Sequence, residues 1–275
     1  RVVVSQEPVA GQHVRPRGED ARAGDVLAPA GALLTPALLA LARSAGCAEV
    51  EVLARTRVAV VSTGSELTEP GVTPGAAGIH ESNSAMVAAL AAESGCEVTR
   101  VRTCSDDAAE LESLLGELDA AADVDLVLTT GGVSQGAFEV VKQVCGPLPT
   151  FTFSHLAMQP GGPQGLGRLV YTPVVCLPGT PVGAFVSFAV LVRPALDVLH
   201  GLPPRGAKRA AYVGPTRRTR VGKVQFLTAV HTPEGAVSPA RGHHLSALAA
   251  ANALIEVPER VDRLVEGDVV AVHLL

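Results

Sequence analysis

Three times in this chain a short apolar run of strand length ends in a polar glycine or proline turn, and a helical pattern follows. The runs are Val58 to Ser62, Val124 to Leu128 and Val174 to Cys176. Their turns are Thr63-Gly64-Ser65-Glu66-Leu67, Thr129-Thr130-Gly131-Gly132-Val133-Ser134 and Leu177-Pro178-Gly179-Thr180-Pro181. Continuous β-branched runs belong to strands buried on both faces, the condition of a central parallel strand. Parallel strands need crossovers, and the pattern supplies them. A helix is expected from Ser84 to Ser94, with Gly95 at the C′ position, followed by an alternating strand from Glu97 to Thr103. Leu111, Leu114, Leu115 and Leu118 then form a helical stripe, with Ser105, Asp106 and Asp107 as cap and dipole partners. This order predicts an α/β fold with right-handed crossovers and a three-layer, parallel-rich sheet.

Open sheets of this kind bind ligands outside the carboxyl ends of their strands, where all three turns fall. Hydroxyls and bare glycine backbone there suit an anion such as phosphate. A helix running from just after the Gly-Gly turn to Val144 would add its N-terminal N–H groups. The helix after Pro181 is expected to bury Phe185, Phe188, Ala189, Val192, Leu196 and Leu199 as core, with a kink at Pro194.

Read in order, STGSEL, IHESN, TTGGVSQG, MQPGGPQG and LPGTPVGAFVSF resemble the motif series of the molybdopterin molybdenumtransferase family, which includes MoeA and the gephyrin E-domain. GQHVRPRGEDARAGDVL and HHLSALAAANALIEVPE resemble that family's flanking segments. The resemblance implies three parts: residues 1–54 as the end of a longer N-terminal region, 55–203 as the molybdopterin-binding α/β domain, and 204–275 as a small β-barrel-like domain. It implies molybdenum cofactor biosynthesis in a cytoplasmic homodimer, with molybdate inserted into free or adenylylated molybdopterin, magnesium assisting, and an adenylylating enzyme as pathway partner. On this resemblance Glu66, Glu81 and Glu139 are the catalytic carboxylates, and Glu66 and Glu81 offer the hard oxygens that magnesium takes. The binding residues are Thr63, Gly64, Ser82, Asn83, Thr130, Gly131, Gly132, Ser134, Pro160, Gly161, Pro178, Gly179 and Pro181.

The chain departs from the family pattern in places. It reads His80-Glu81-Ser82-Asn83 where members commonly have Y-D-S-N, and Gln159 and Gly162 stand where lysines are usual. Thr180 replaces the usual asparagine. Loss of two cations weakens charge pairing with an oxyanion. A second reading therefore stays open, a catalytically weak or inactive scaffold of gephyrin type that binds a protein partner. A third, a molybdopterin-adenylylating enzyme, is opposed by the two flanking segments, since that relative resembles the middle domain alone.

With 275 residues, 47% hydrophobic and 18% charged, the chain can bury a sizeable core and is not generally disordered. No apolar run of membrane-spanning length and no signal-peptide pattern is apparent. The five cysteines, Cys47, Cys96, Cys104, Cys145 and Cys176, lack C-x-x-C spacing and read as reduced thiols, with Cys176 as core packing. A net charge of −5 argues against a general nucleic-acid binder. Yet Arg205, Lys208, Arg209, Arg217, Arg218, Arg220 and Lys223 run without an acid between them. That run is read as a solvated face, the alternative being a surface that steers a polyanion. The C-terminal part carries a hairpin turn at Glu234-Gly235, a short helix from Leu245 to Asn252 and a last strand from Val269 to Leu275. His243 and His244 are assigned a structural or surface role.

Overall fold

The structure is a computed structural model that describes residues 7, 9–134, 136, 139–203, 205–240 and 244–275. Gln135, Ala137 and Phe138 of the Gly-Gly motif, and His243, lie outside the described residues. The chain divides into two compact units, 1–54 and 55–275. In the first, helix α1 (Pro36–Ser44) is started by Thr35, whose hydroxyl accepts from the Leu38 N–H, and by proline in the first turn.

The second unit opens with strand β1 (Arg57–Thr63), helix α2 (Asn83–Glu93), strand β2 (Glu97–Cys104), helix α3 (Ala108–Ala120) and strand β3 (Leu126–Thr130). Helix α4 (Val140–Cys145) and strands β4 (Thr152–His155), β5 (Pro163–Arg168) and β6 (Pro173–Leu177) follow. The sheet order is β2-β1-β3-β6-β5-β4. The first four strands are parallel, while β5 and β4 add antiparallel at one edge. Alternate side chains of the central strands feed two cores on opposite faces: Ala59, Val61 and Val127 enter one, and Val58, Val60, Leu126 and Leu128 the other. That two-sided burial is the reason the strands read as unbroken apolar runs.

From β1 the chain crosses to β2 on one side and then returns to β3 on the other, so the order reverses between β1 and β3. A crevice opens at such a switch point, beyond the carboxyl ends of the two strands.

Helices α5 (Pro181–Ser187) and α6 (Arg193–Leu199) are joined by a π-helical turn, Phe188–Val192. The irregularity expected at Pro194 therefore falls in the turn just before it, with the proline in the first turn of α6, where its missing N–H costs least. Phe188, Val192 and Leu196 are buried as expected, whereas Leu199 is 65% exposed because it lies on the outer side of the last turn. The whole stretch Pro181–Leu199 has the length and apolarity to cross a membrane, which corrects the expectation that no segment does. Half of it is buried within the fold, it includes the buried Arg193 and Asp197, and it serves as a core helix.

Strands β7 (Lys208–Tyr212), β8 (Val224–His231), β9 (Ala236–Pro239), β10 (Ala253–Val257) and β11 (Val269–Leu274) close on themselves as β9-β7-β11-β10-β8-β9. The barrel encloses Tyr212, Leu227, Ile255 and Val272. The β8–β9 hairpin turns at Gly235, whose φ of +83° meets the need for left-handed backbone. A two-residue strand, Met158–Gln159, pairs in parallel with Val224 and Gln225 of β8 and so joins the barrel strands.

Candidate functional site

Two cavities lie side by side and share Thr180 and Pro181. The first, about 630 Å³, occupies the switch-point crevice and is lined by all three strand-end turns. Of the residues singled out in the sequence, Thr63, Gly64, Glu66, Glu81, Ser82, Asn83, Thr130, Gly131, Gly132, Ser134, Glu139, Gly161, Pro178, Gly179 and Pro181 line it together. Pro160 does not. The Met158–Gln159 strand is paired to the barrel, which carries Gln159 and Pro160 to the wall of the second cavity. Gly161, at φ +92°, turns the chain back; a Cβ there would stand 2.5 Å from the Ser187 hydroxyl.

Asn83 ties the rim together. Its Nδ2 donates to Thr130 Oγ1 at 3.0 Å and to the Gly179 carbonyl at 2.7 Å, and Thr130 in turn donates to the Pro178 carbonyl at 2.9 Å. Since Gly179 O can only accept, the amide orientation is determined, and Asn83 Oδ1 is left buried with no hydrogen-bond partner among the described residues. Gly131 packs so closely on β1 that a Cβ would lie 2.5 Å from the Thr63 carbonyl, at a φ of +97°.

The carboxylates have separate tasks. Glu81 is buried, and its oxygens accept from the Ser62 hydroxyl at 2.9 Å, the Ser84 N–H at 2.8 Å and the Ser84 hydroxyl at 2.5 Å. It holds the start of α2 against β1. Glu139 accepts from the Ser134 N–H at 2.6 Å and the Gly136 N–H at 2.9 Å. Glu66 is exposed to the cavity.

Among the described residues no helix N-terminus adjoins the Gly-Gly turn to form the expected anion cradle. The six-residue α4 starts only at Val140, the Gly131 N–H is spent on the Leu177 carbonyl, and Glu139 takes the Ser134 and Gly136 amides. Glu66, Glu81, Asp106 and Glu139 line this cavity, and among the described residues no Lys or Arg does.

Of the Ser105-Asp106-Asp107 run expected at the start of α3, Asp107 is the cap, accepting from the Ala109 and Glu110 N–H groups. Asp106 instead pairs with the Thr63–Leu67 turn, accepting from the Ser65 N–H at 2.9 Å. The available signal was its place just past the carboxyl end of a parallel strand. At nearby Cys104, burial, with Glu110 and Asp106 adding, pushes the thiol up to about 11, which disfavours the thiolate.

Positive charge resides in the second cavity, about 790 Å³, lined by Arg217, Arg218 and Arg220 together with Gln159, Thr228 and His244. Of the basic run expected as a solvated face, Arg218 and Arg220 are exposed as well as lining this cavity, while Arg217 is half-buried; Arg205 lies 3.5 Å from the buried Asp197. Gln159 Oε1 is buried with no hydrogen-bond partner among the described residues.

The chain matches the description "Probable molybdopterin binding domain" over residues 59–198. It also matches "MoeA N-terminal region (domain I and II)" over 1–46 and "MoeA C-terminal region (domain IV)" over 222–275. It is 43% identical to "Molybdopterin molybdenumtransferase 2" of Mycobacterium tuberculosis over 97% of its length and 68% of the relative's. Identity to the Haemophilus influenzae "Molybdopterin molybdenumtransferase" is 37%, over 73% of this chain and 49% of that one. The structure of a MoeA protein from Pyrococcus horikoshii superposes with a TM-score of 0.79 at 28% identity, covering 94% of this chain and 64% of that one.

Proposed function

This chain belongs to the MoeA family of molybdopterin molybdenumtransferases, and from that premise we propose that it takes part in inserting molybdate into molybdopterin, the two cavities receiving the two substrates. The observation that carries the proposal is the division of charge across Thr180 and Pro181. A pterin is rich in N–H donors and suits a crevice lined by carboxylates, hydroxyls and carbonyls. Asn83 and the glycine turns give that crevice its shape. Molybdate is an oxyanion and suits the arginine-lined cavity, where Arg218 and Arg220 offer forked donors and stand in for the cations absent at Gln159 and Gly162.

Among the described residues no group of three or more His, Cys, Asp or Glu side chains is placed to hold a metal. An all-protein magnesium cage therefore does not fit. A site of one carboxylate plus ligand oxygens does fit, because magnesium commonly keeps waters and borrows substrate oxygens. Glu66 is the carboxylate free to serve, and the ion would neutralise developing negative charge. Glu81 and Glu139, both engaged in hydrogen bonds, act in this proposal by positioning the loops.

The division into parts at about residues 54 and 203, a homodimer, a cytoplasmic setting and an adenylylated substrate from a partner enzyme belong to the same proposal. The scaffold alternative is not favoured, because the relatives carry transferase names and the charged cavity is present. The test is reconstitution: purified protein, molybdopterin or its adenylylated form, and molybdate are assayed for active cofactor. Wild type should accelerate formation and Arg218→Ala should raise the molybdate concentration required. Absence of any acceleration with either substrate form overturns the proposal.

A further inference from the structure

The acidic crevice has a small cationic annex. A cavity of about 180 Å³ is lined by Val133, Lys142, Phe153, Ser154, His155 and Pro163, and it shares Val133 and Pro163 with the wall of the crevice. Lys142 projects from α4 and donates to the Ser134 carbonyl at 2.6 Å. An ammonium has three donors, so this bond anchors the group and leaves two for a guest. Across the cavity, at the end of β4, the His155 imidazole lies directly over Gly162. Its Nε2 would be 2.6 Å from a Cβ added there, so the absence of a side chain at Gly162 gives the ring its place. Neither ring nitrogen of His155 has a hydrogen-bond partner among the described residues. Ser154, beside it on β4, is exposed.

We propose that Lys142, His155 and Ser154 form a phosphate-monoester subsite for the charged end of a ligand whose body lies in the crevice. The inference rests on reading the crevice as the ligand site. Its chemistry follows from position: a phosphate terminus is repelled by Glu66, Asp106 and Glu139, and Lys142 is the lysine on the wall immediately beyond them. The cavity volume suits a phosphate group with a few waters. The arginine cavity lies beyond Thr180, on the barrel side, so the two anion sites do not compete for one guest.

Inorganic phosphate is the probe, titrated into intact protein while the imidazole ¹⁵N resonances and the binding heat are followed. The His155 resonances should shift with saturation, and His155→Ala and Lys142→Met should each weaken phosphate binding at least fivefold. Gly162→Ala, which pushes the ring aside while keeping Lys142, should weaken it too. Arg218→Ala, on the other cavity, should leave the His155 titration in place. If Lys142→Met loosens the fold, as judged by thermal melting, the exposed His155→Ala decides. Phosphate binding that never moves His155, or is equal in His155→Ala and wild type, overturns the subsite. None of these readouts depends on cofactor synthesis, so failure of the subsite and failure of the transferase proposal are separately visible.

Discussion

Asn83→Asp keeps the size of a side chain that joins three loops while exchanging its donor for an acceptor. In the wild type, Nδ2 serves Gly179 O at 2.7 Å and Thr130 Oγ1 at 3.0 Å in a buried position. Removing the two bonds costs roughly 0.5–1.5 kcal/mol each. A buried carboxylate facing a carbonyl raises the total to about 3–5 kcal/mol, because the charge lacks a donor. With a urea dependence of about 2 kcal/mol per molar, the midpoint should fall by roughly 2 M at pH 7. Burial without a donor raises the folded-state pKa of the new carboxyl above its unfolded value of about 3.9. The folded variant then binds the extra proton between those two values, so its stability relative to wild type is best below the unfolded pKa and declines as pH rises through the folded one. The gap between variant and wild type should accordingly be smaller at pH 4, where a protonated carboxyl can donate to Gly179 O. Asn83→Ala, with no titrating group, should show a gap of about 1–3 kcal/mol that is insensitive to pH. Denaturation curves of the three proteins at pH 4 and 7 test this. A variant within about 0.5 kcal/mol of wild type at pH 7, or a gap that does not narrow in acid, refutes the assignment of Asn83 as the clasp of the rim.

Glu66→Gln should leave stability within about 0.5 kcal/mol, since Glu66 is exposed, while lowering molybdate-dependent turnover and its response to added magnesium; equal turnover in the two proteins counts against Glu66 as the metal's carboxylate. Gly131→Ala combines a φ of +97° with a 2.5 Å approach to the Thr63 carbonyl, and should cost about 1–3 kcal/mol, read as a lower melting temperature and weaker pterin binding. An unchanged melt would show that the two turns can separate freely. Gln159→Lys adds a cation to the arginine cavity and should raise turnover severalfold at limiting molybdate but little at saturation, which a molybdate titration of both proteins decides.

The unbroken apolar runs at Val58, Val124 and Val174 determined much by themselves, because a strand buried on both faces needs covering layers, and helical crossovers between successive strands supply those layers while setting the strands parallel. The glycine turns likewise marked the crevice, since ligand position in such a sheet follows from strand direction. These are local signals with a global consequence. Pairing between distant segments left no such trace. That Met158 and Gln159 join the barrel, taking Pro160 out of the crevice, is settled by hydrogen bonds to Val224 and Gln225, 66 positions along the chain. Arg217 and Arg218 pair with Leu264 and Arg263 in a two-stranded ribbon separate from the barrel strands, and that long-range pairing, invisible in the charge run, helps place them with Arg220 on a cavity wall. The tasks of the carboxylates were also decided in three dimensions. Glu66, Glu81 and Glu139 look alike in sequence, and only their neighbours distinguish an exposed acid from a buried cap and a loop clamp. Pattern reports which face of an element is apolar; it does not report which donor a charged group will meet.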